Sequence, residues 1–306
     1  MSEEELFNLQ RAIDDGGHTW RAGETSLSSL PPEEQKYRLG LTLVPEEMAR
    51  VRAAIQTRAP MAAQFPPAWD WRNVNGADWT TRIRDQKACG SCVAFGTVGV
   101  LEAMVKRHEN DAALQPDLAE AHLFFCGCGD CCDKGWWPSY ALNYAKSSGV
   151  PGEACFPYQD HNMPCSDSCA DWQNQATKVV DWQEVTDVGA RKEWLSTTGP
   201  MVACMAVYRD FYSYTGGVYR HVSGELLGYH AIGAVGYSEA DSCWICKNSW
   251  GTNWGEAGWF KIGYGECGMD TEFAMYGVTD VIPAGSDERD GCLGQIRQML
   301  GLSSGA

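Results

Sequence analysis

Apolar positions fall at helical spacing twice before residue 60. Leu6, Leu9 and Ile13 do so in the first fourteen residues; Met48, Val51, Ala54 and Ile55 do so in PEEMARVRAAIQTR at 45–58, where Pro45 suits a helix start. Between these predicted helices, HTWRAGE and KYRLGLTL supply an aromatic anchor, Trp20, and an extended apolar strip that cannot bury itself alone. Residues 1–60 therefore read as a separate regulatory segment. Pro66 and Pro67 then force an extended chain ahead of AWDWR. A helix is predicted from Cys92, followed by amphipathic stretches at 117–126 and 138–147 around a cysteine-rich loop. From about 186 to 280, apolar and polar residues alternate around glycine-rich turns, as in VYRHVSG, AIGAVGY and GWFKIGY, which predicts strands of a barrel-like lobe. The expected architecture is α+β and two-lobed: 1–60 regulatory, 61–185 helical, 186–280 β-rich, and 281–306 a Gly-, Ser- and charge-rich tail in which only CLGQIRQML has helical character.

Two distant segments complete one another chemically. RDQKACGSCVAFG at 84–96 carries Cys92 at the head of an apolar helix, whose N-terminal dipole would favour thiolate. The segment at 228–260 carries His230, a base for that sulfur, and KNSWGTNWG, in which Asn248 can orient the imidazole beside Trp250 and Trp254. Gln86 can donate its side-chain amide to an oxyanion.

The stretch CGSC before an aromatic-containing helix, the downstream HAI and the NSWG-x-x-WG block together resemble the papain-like cysteine proteases from about Phe65 to about Val278. The run VYRDFYSYTGGVYRHVSGELLGYHAI and the amino-terminal GGHTWRAGE are most similar to the cathepsin B branch. The resemblance implies peptide hydrolysis, with Cys92 as nucleophile, His230 as base, Asn248 as orienting group and Gln86 as oxyanion donor. It also implies that residues 1–60 are a propeptide lying backwards through the cleft, which would make the chain a latent zymogen inhibited by its own propeptide. Where the family has Trp after the nucleophile, this chain has Val93. Acyl transfer to an amine through the same site, and a catalytically weak relative that binds peptides or inhibitors, are the rival readings.

The chain has 14 cysteines in 306 residues, which argues for an oxidising compartment, lysosome-like or secreted. With Cys92 free, thirteen remain, so at least one more is unpaired or bonded to another molecule. The CxxC spacings at 128–131 and 243–246 raise zinc as a rival to disulfides. The resemblance favours bonds Cys89–Cys132, Cys126–Cys165 and Cys155–Cys169, with Cys128 and Cys131 left for each other and partners among 126, 128, 131 and 132 open. On a strand Cys243 and Cys246 would face opposite ways. Cys204, Cys267 and Cys292 are unassigned, and neither metal nor cofactor is expected.

A net charge of −16 speaks against nucleic acid. No apolar run approaches the roughly 20 residues of a membrane span. The acidic start MSEEELFNLQ lacks the features of a secretory signal, so a signal was either removed or never present. The expected partners are peptide or protein substrates and the chain's own propeptide, and the expected state is a monomer.

Specificity follows from the resemblance. The loop that captures a substrate carboxylate in cathepsin B is shortened here to ACFPYQDHNMPCSDSC and keeps only His161, which implies an open primed side and internal cleavage. The glycine pair that docks substrate backbone is Lys134 and Gly135. Glu272 falls where the family closes the floor of the S2 pocket, with Cys204 and Ala231 as apolar neighbours, and would pair with an arginine at P2, two residues before the scissile bond. Trp250 completes the expected substrate-binding set.

Overall fold

Ser2 and Glu5 cap the first helix reciprocally: the Glu5 amide donates to Ser2 Oγ at 3.2 Å and the Ser2 amide to Glu5 Oε2 at 2.7 Å. The computed structural model, which describes residues 2–57 and 64–286, places that helix, α1, at Glu3–Asp15, with Leu9 and Ile13 buried. Strand β1 (Arg21–Ala22), the short α2 (Pro32–Gln35) and α3 (Pro45–Thr57) complete the amino-terminal segment. The junction expected at 60/61 lies outside the described residues, as do Cys292 and the helix expected in CLGQIRQML.

After β2 (Ala68–Asp70) comes α4 (Cys92–His108), buried along most of its length. Lys106, Arg107 and His108 occupy its last turn, where positive charge complements the helix dipole. Gly96 lets α4 sit close on the sheet, since a Cβ there would lie 3.3 Å from the Ile232 backbone. The amphipathic stretch expected at 117–126 is not a regular α-helix. Its second half, His122–Cys126, is a π-helical turn, in which the widened ladder turns four consecutive side chains, His122 to Phe125, inward. Helix α5 spans Pro138–Ser147.

Apart from short 3-10 turns, the elements that follow are β3 (Lys178–Val185), α6 (Val188–Thr197), β4 (Met201–Tyr208), β5 (Tyr214–Gly216), β6 (Val218–Tyr219), β7 (Leu226–Ser238), β8 (Cys243–Lys247), β9 (Trp259–Gly263) and β10 (Met275–Ile282). The large sheet runs β3-β10-β4-β7-β8-β9-β6, antiparallel except for β6 with β9, and β2 pairs with β7. Strand β3 precedes the boundary expected at 185/186, yet it pairs along β10 within this sheet. It also faces α5, where Lys146 meets Asp181 at 2.8 Å and Trp182 Nε1 donates to Asn143 at 3.1 Å.

Alternation along the strands separates two cores. Val202 and Cys204 of β4 and Ala231 of β7 join the core built with α4 and α5. Met201, Ala203 and Met205 of β4 and Ile232 and Ala234 of β7 join the core of the β-rich lobe. The two-lobed α+β fold thus places the N-terminus of α4 against the middle of β7, at the seam between the lobes.

Candidate active site

The segment ahead of α4 is held by backbone. The Gln86 amide donates to the Ser249 carbonyl at 2.9 Å, and the Gly90 amide to the Cys132 carbonyl at 2.8 Å. Ser91 makes no side-chain cap, so the first amides of α4 open towards the seam beside Cys92. Cys92 Sγ is fully buried and accepts from the Ala231 amide at 3.4 Å. Burial pushes its thiol up to about 12, against the opposing effect of the Ala231, Gly40 and Val93 amides. The thiolate expected from the helix dipole is therefore outweighed by desolvation in this covered form.

His230 Nε2 lies 2.8 Å from Asn248 Oδ1, which also accepts from the Ser249 amide at 2.8 Å. A carbonyl oxygen only accepts, so the imidazole proton sits on Nε2 and Nδ1 keeps its lone pair. Nδ1 has no hydrogen-bond partner among the described residues. The ring stacks on Trp250, 4.7 Å between centroids, and Trp250 in turn meets Trp254 edge-on at 4.8 Å. Burial lowers His230 to about 4, partly offset by the bond to Asn248. Gln86 is also buried: its Oε1 accepts from Ser249 Oγ at 2.7 Å and its Nε2 donates to the Cys89 carbonyl at 3.0 Å. The structure thus gathers Gln86, Cys92, His230 and Asn248 at one place.

Residues 38–42 cross this place. The Trp250 indole donates to the Arg38 carbonyl at 3.1 Å, and the Leu41 amide to the Tyr229 carbonyl at 3.2 Å. Trp136 exchanges two bonds with the strap: its amide donates to Gly40 O at 2.8 Å and its carbonyl accepts from the Thr42 amide at 3.0 Å. Leu41 and Trp136 run parallel. A Cβ at Gly40 would overlap the Gly90 backbone, and one at Gly135 would overlap Gly40. Gly135, at φ +72°, therefore provides room, whereas the backbone pairing belongs to Trp136, which the sequence reading did not single out. Pro138 marks only where the extended residues ahead of α5 end; the pairing itself depends on the strap, far earlier in the chain, which no signal beside Trp136 reveals.

Cys204 and Ala231 are cross-strand partners, both buried, in one apolar cluster with Leu41, Trp136 and Phe273. Glu272 is not at a dry pocket floor. Its side chain is 48% exposed and pairs with Arg52 of α3 at 3.2 Å. His161 is exposed, and its loop is tied down by its neighbours: Asn162 accepts from the Cys132 amide at 3.0 Å and Asp160 from the Ala88 amide at 3.4 Å.

The bonded cysteines are Cys89–Cys132, Cys126–Cys165, Cys128–Cys131 and Cys155–Cys169. Cys92, Cys204, Cys243, Cys246 and Cys267 are free and buried. Among the described residues there is no cluster of His, Cys, Asp and Glu able to hold a metal ion, and no helix long and apolar enough to cross a membrane.

The profile of the papain family cysteine proteases matches residues 65–277. Cathepsin B-like CP3 of Giardia intestinalis is 35% identical over 243 residues, covering 74% of this chain and 79% of that protein. Cathepsin B-like cysteine proteinase 1 of Haemonchus contortus is 30% identical, covering 71% of this chain and 74% of its own. In fold, the chain is similar to the solved structure of procathepsin B S9 from Trypanosoma congolense, with a TM-score of 0.73 at 24% identity, covering 91% of this chain and 98% of that one.

Proposed function

Because the chain belongs to the papain family of cysteine proteases, we propose that it is a cathepsin B-like endopeptidase, made as a latent zymogen, that acts through Cys92, His230, Asn248 and Gln86. The observation that carries this reading is the strap: the backbone of Gly40 lies against Cys92, so a peptide already occupies the place where a substrate would bind. We divide the chain into a propeptide at 1–60, a helical lobe at 61–185, a β-rich lobe at 186–280 and a tail.

With the strap gone, His230 Nδ1 takes the Cys92 proton, and the thiolate attacks the scissile carbonyl carbon. The carbonyl oxygen gains the electron pair and is held by the Cys92 amide and Gln86 Nε2. Asn248 holds the imidazolium through Nε2. The imidazolium returns its proton through Nδ1 to the leaving amine, and the C–N bond breaks to leave a thioester. His230 then deprotonates a water that attacks the thioester and frees Cys92. The short loop around His161 leaves the primed side open to a continuing chain, which favours internal cuts over removal of carboxyl-terminal dipeptides. Four disulfides suit an oxidising compartment, lysosome-like or secretory, and the enzyme is expected to act as a monomer on peptide or protein substrates. Labelling of the processed enzyme by a peptidyl epoxide, lost in Cys92→Ala, is the direct test. Equal labelling of both would remove Cys92 from the chemistry.

Leu41 in the cluster with Cys204 and Ala231 supports an S2 pocket that takes bulky apolar side chains. Glu272 already meets one arginine, Arg52, and should accept another at P2. An exposed pair is worth at most about 1 kcal/mol, so Glu272→Ala should lower kcat/KM for Arg at P2 by no more than about fivefold and leave Phe or Leu at P2 unchanged. Two fluorogenic dipeptide substrates measure this, and an equal loss on both would place Glu272 in support of the fold instead.

A further inference from the structure

Gln86 must present its amide to the oxyanion within a few tenths of an ångström, and three of its four polar groups are accounted for by Ser249 and Cys89: backbone N, Oε1 and Nε2. The fourth, its carbonyl, accepts from the hydroxyl of Tyr158 at 2.8 Å. The same phenol oxygen lies 2.7 Å from Ser91 Oγ, at the N-cap of α4. A phenol has one proton. Since that proton goes to the Gln86 carbonyl, the single Ser91 Oγ–H has two acceptors in reach, the phenol oxygen at 2.7 Å and the Cys89 carbonyl at 3.3 Å; the shorter contact takes it, and the chain Ser91 to Tyr158 to Gln86 is directional. It spans the two ends of the turn 86–91, in which Lys87 takes φ +50°.

Tyr158 is itself fixed. Its ring meets Phe95 of α4 edge-on at 4.9 Å and stacks over Phe125 at 6.3 Å, while its amide donates to Glu153 Oε1 at 2.8 Å. The disulfides Cys155–Cys169 and Cys126–Cys165 flank its loop. Burial raises the phenol above the ordinary tyrosine value, so it remains a donor throughout the neutral range.

The geometry points to Tyr158 as a positioning residue for the oxyanion site, one that locks the Gln86 segment to the start of the nucleophile helix. This role rests on the proposed part played by Gln86. It extends that reading to a residue in the shortened loop, far in sequence from the reacting groups.

The processed enzyme and its Tyr158→Phe variant separate this role from a merely structural one. A peptidyl aldehyde adds the Cys92 sulfur to its carbonyl carbon and forms a hemithioacetal whose oxygen occupies the oxyanion position. Iodoacetamide alkylates the same sulfur by displacing iodide and develops no oxyanion. Tyr158→Phe should lower kcat about tenfold, less than the 10²–10³ that loss of an oxyanion donor costs, with KM within about twofold. Aldehyde affinity should fall in parallel, and the iodoacetamide rate should not change. Combined with Gln86→Ala, Tyr158→Phe should cost nothing further, because it acts through Gln86. Full aldehyde affinity in Tyr158→Phe, or losses that multiply in the double variant, would overturn the role. If Tyr158→Phe does not fold, Ser91→Ala cuts the other end of the same chain, and unchanged aldehyde affinity there overturns it equally. Unchanged aldehyde affinity in Gln86→Ala would instead refute Gln86 as oxyanion donor, and the role of Tyr158 with it.

Discussion

Cys92→Ser is expected to lower kcat for peptide hydrolysis by the processed enzyme about 10⁶-fold, and His230→Ala by a similar factor, with little added by combining them. The two act as a unit. The sulfur needs the imidazole to take its proton, and the imidazole has no other substrate-facing task before the leaving amine is protonated. A serine hydroxyl in the same place gives up its proton far less readily than a thiol, and here it would rely on an imidazole oriented for sulfur. Asn248→Ala removes an orienting bond of 2.8 Å and leaves the stack of His230 on Trp250 intact. It should therefore cost less than either, about 10²- to 10⁴-fold, and leave a measurable rate. Initial rates on one fluorogenic peptide, normalised by protein folded as judged by circular dichroism, decide this. Cys92→Ser at the wild-type rate would end the mechanism, and Asn248→Ala as inactive as His230→Ala would show that the stack holds nothing.

The residues gathered at the seam were legible because each sits inside a local signal: Cys92 at the head of an apolar run, His230 within an alternating strand, Asn248 at the close of one. Helices α1 and α3 were legible for the same reason, through their apolar spacing. What escaped depends on contacts between distant segments. Trp136 pairs with the strap because Gly40 reaches it across the cleft, a fact that no pattern near Trp136 contains. The π turn at His122–Cys126 depends on four inward side chains finding room under α4 and α5. Parity required at least one unpaired cysteine besides Cys92, whereas four more are free among the described residues, each of them buried. Glu272 was expected beneath a dry pocket, but its exposure depends on where Gly268 turns the chain and on Arg52, 220 residues earlier.

The 306-residue chain should cleave a small peptide at least about 100-fold more slowly than a chain beginning near Phe65. A hundredfold requires a closed form favoured by only about 2.8 kcal/mol, roughly the burial of one large apolar side chain. The amino-terminal segment buries several: Leu9, Ile13, Trp20, Leu27, Leu41, Met48 and Val51 are each at most 6% exposed. Three contacts add direction to this burial: β1 pairs with β5, Tyr212 donates to the Gln35 carbonyl at 2.8 Å, and Arg50 meets Glu184 at 2.7 Å. Closure also changes the reacting groups, since burial holds His230 at about 4 and Cys92 up at about 12. Ordinary values are about 6.5 and 8.5, so opening lets His230 bind a proton more readily. The part of closure that depends on neutral His230 is fully present above the open form's pKa and is lost as pH falls towards about 4, so acidification should loosen the strap. Gly40→Ala should loosen it at any pH, because the added methyl would overlap the Gly90 backbone. Initial rates, read before any shortening of the chain appears on a gel, are expected to rise in the order full chain, Gly40→Ala, chain from Phe65. Equal rates for the first and last would mean that residues 1–60 do not restrain the enzyme.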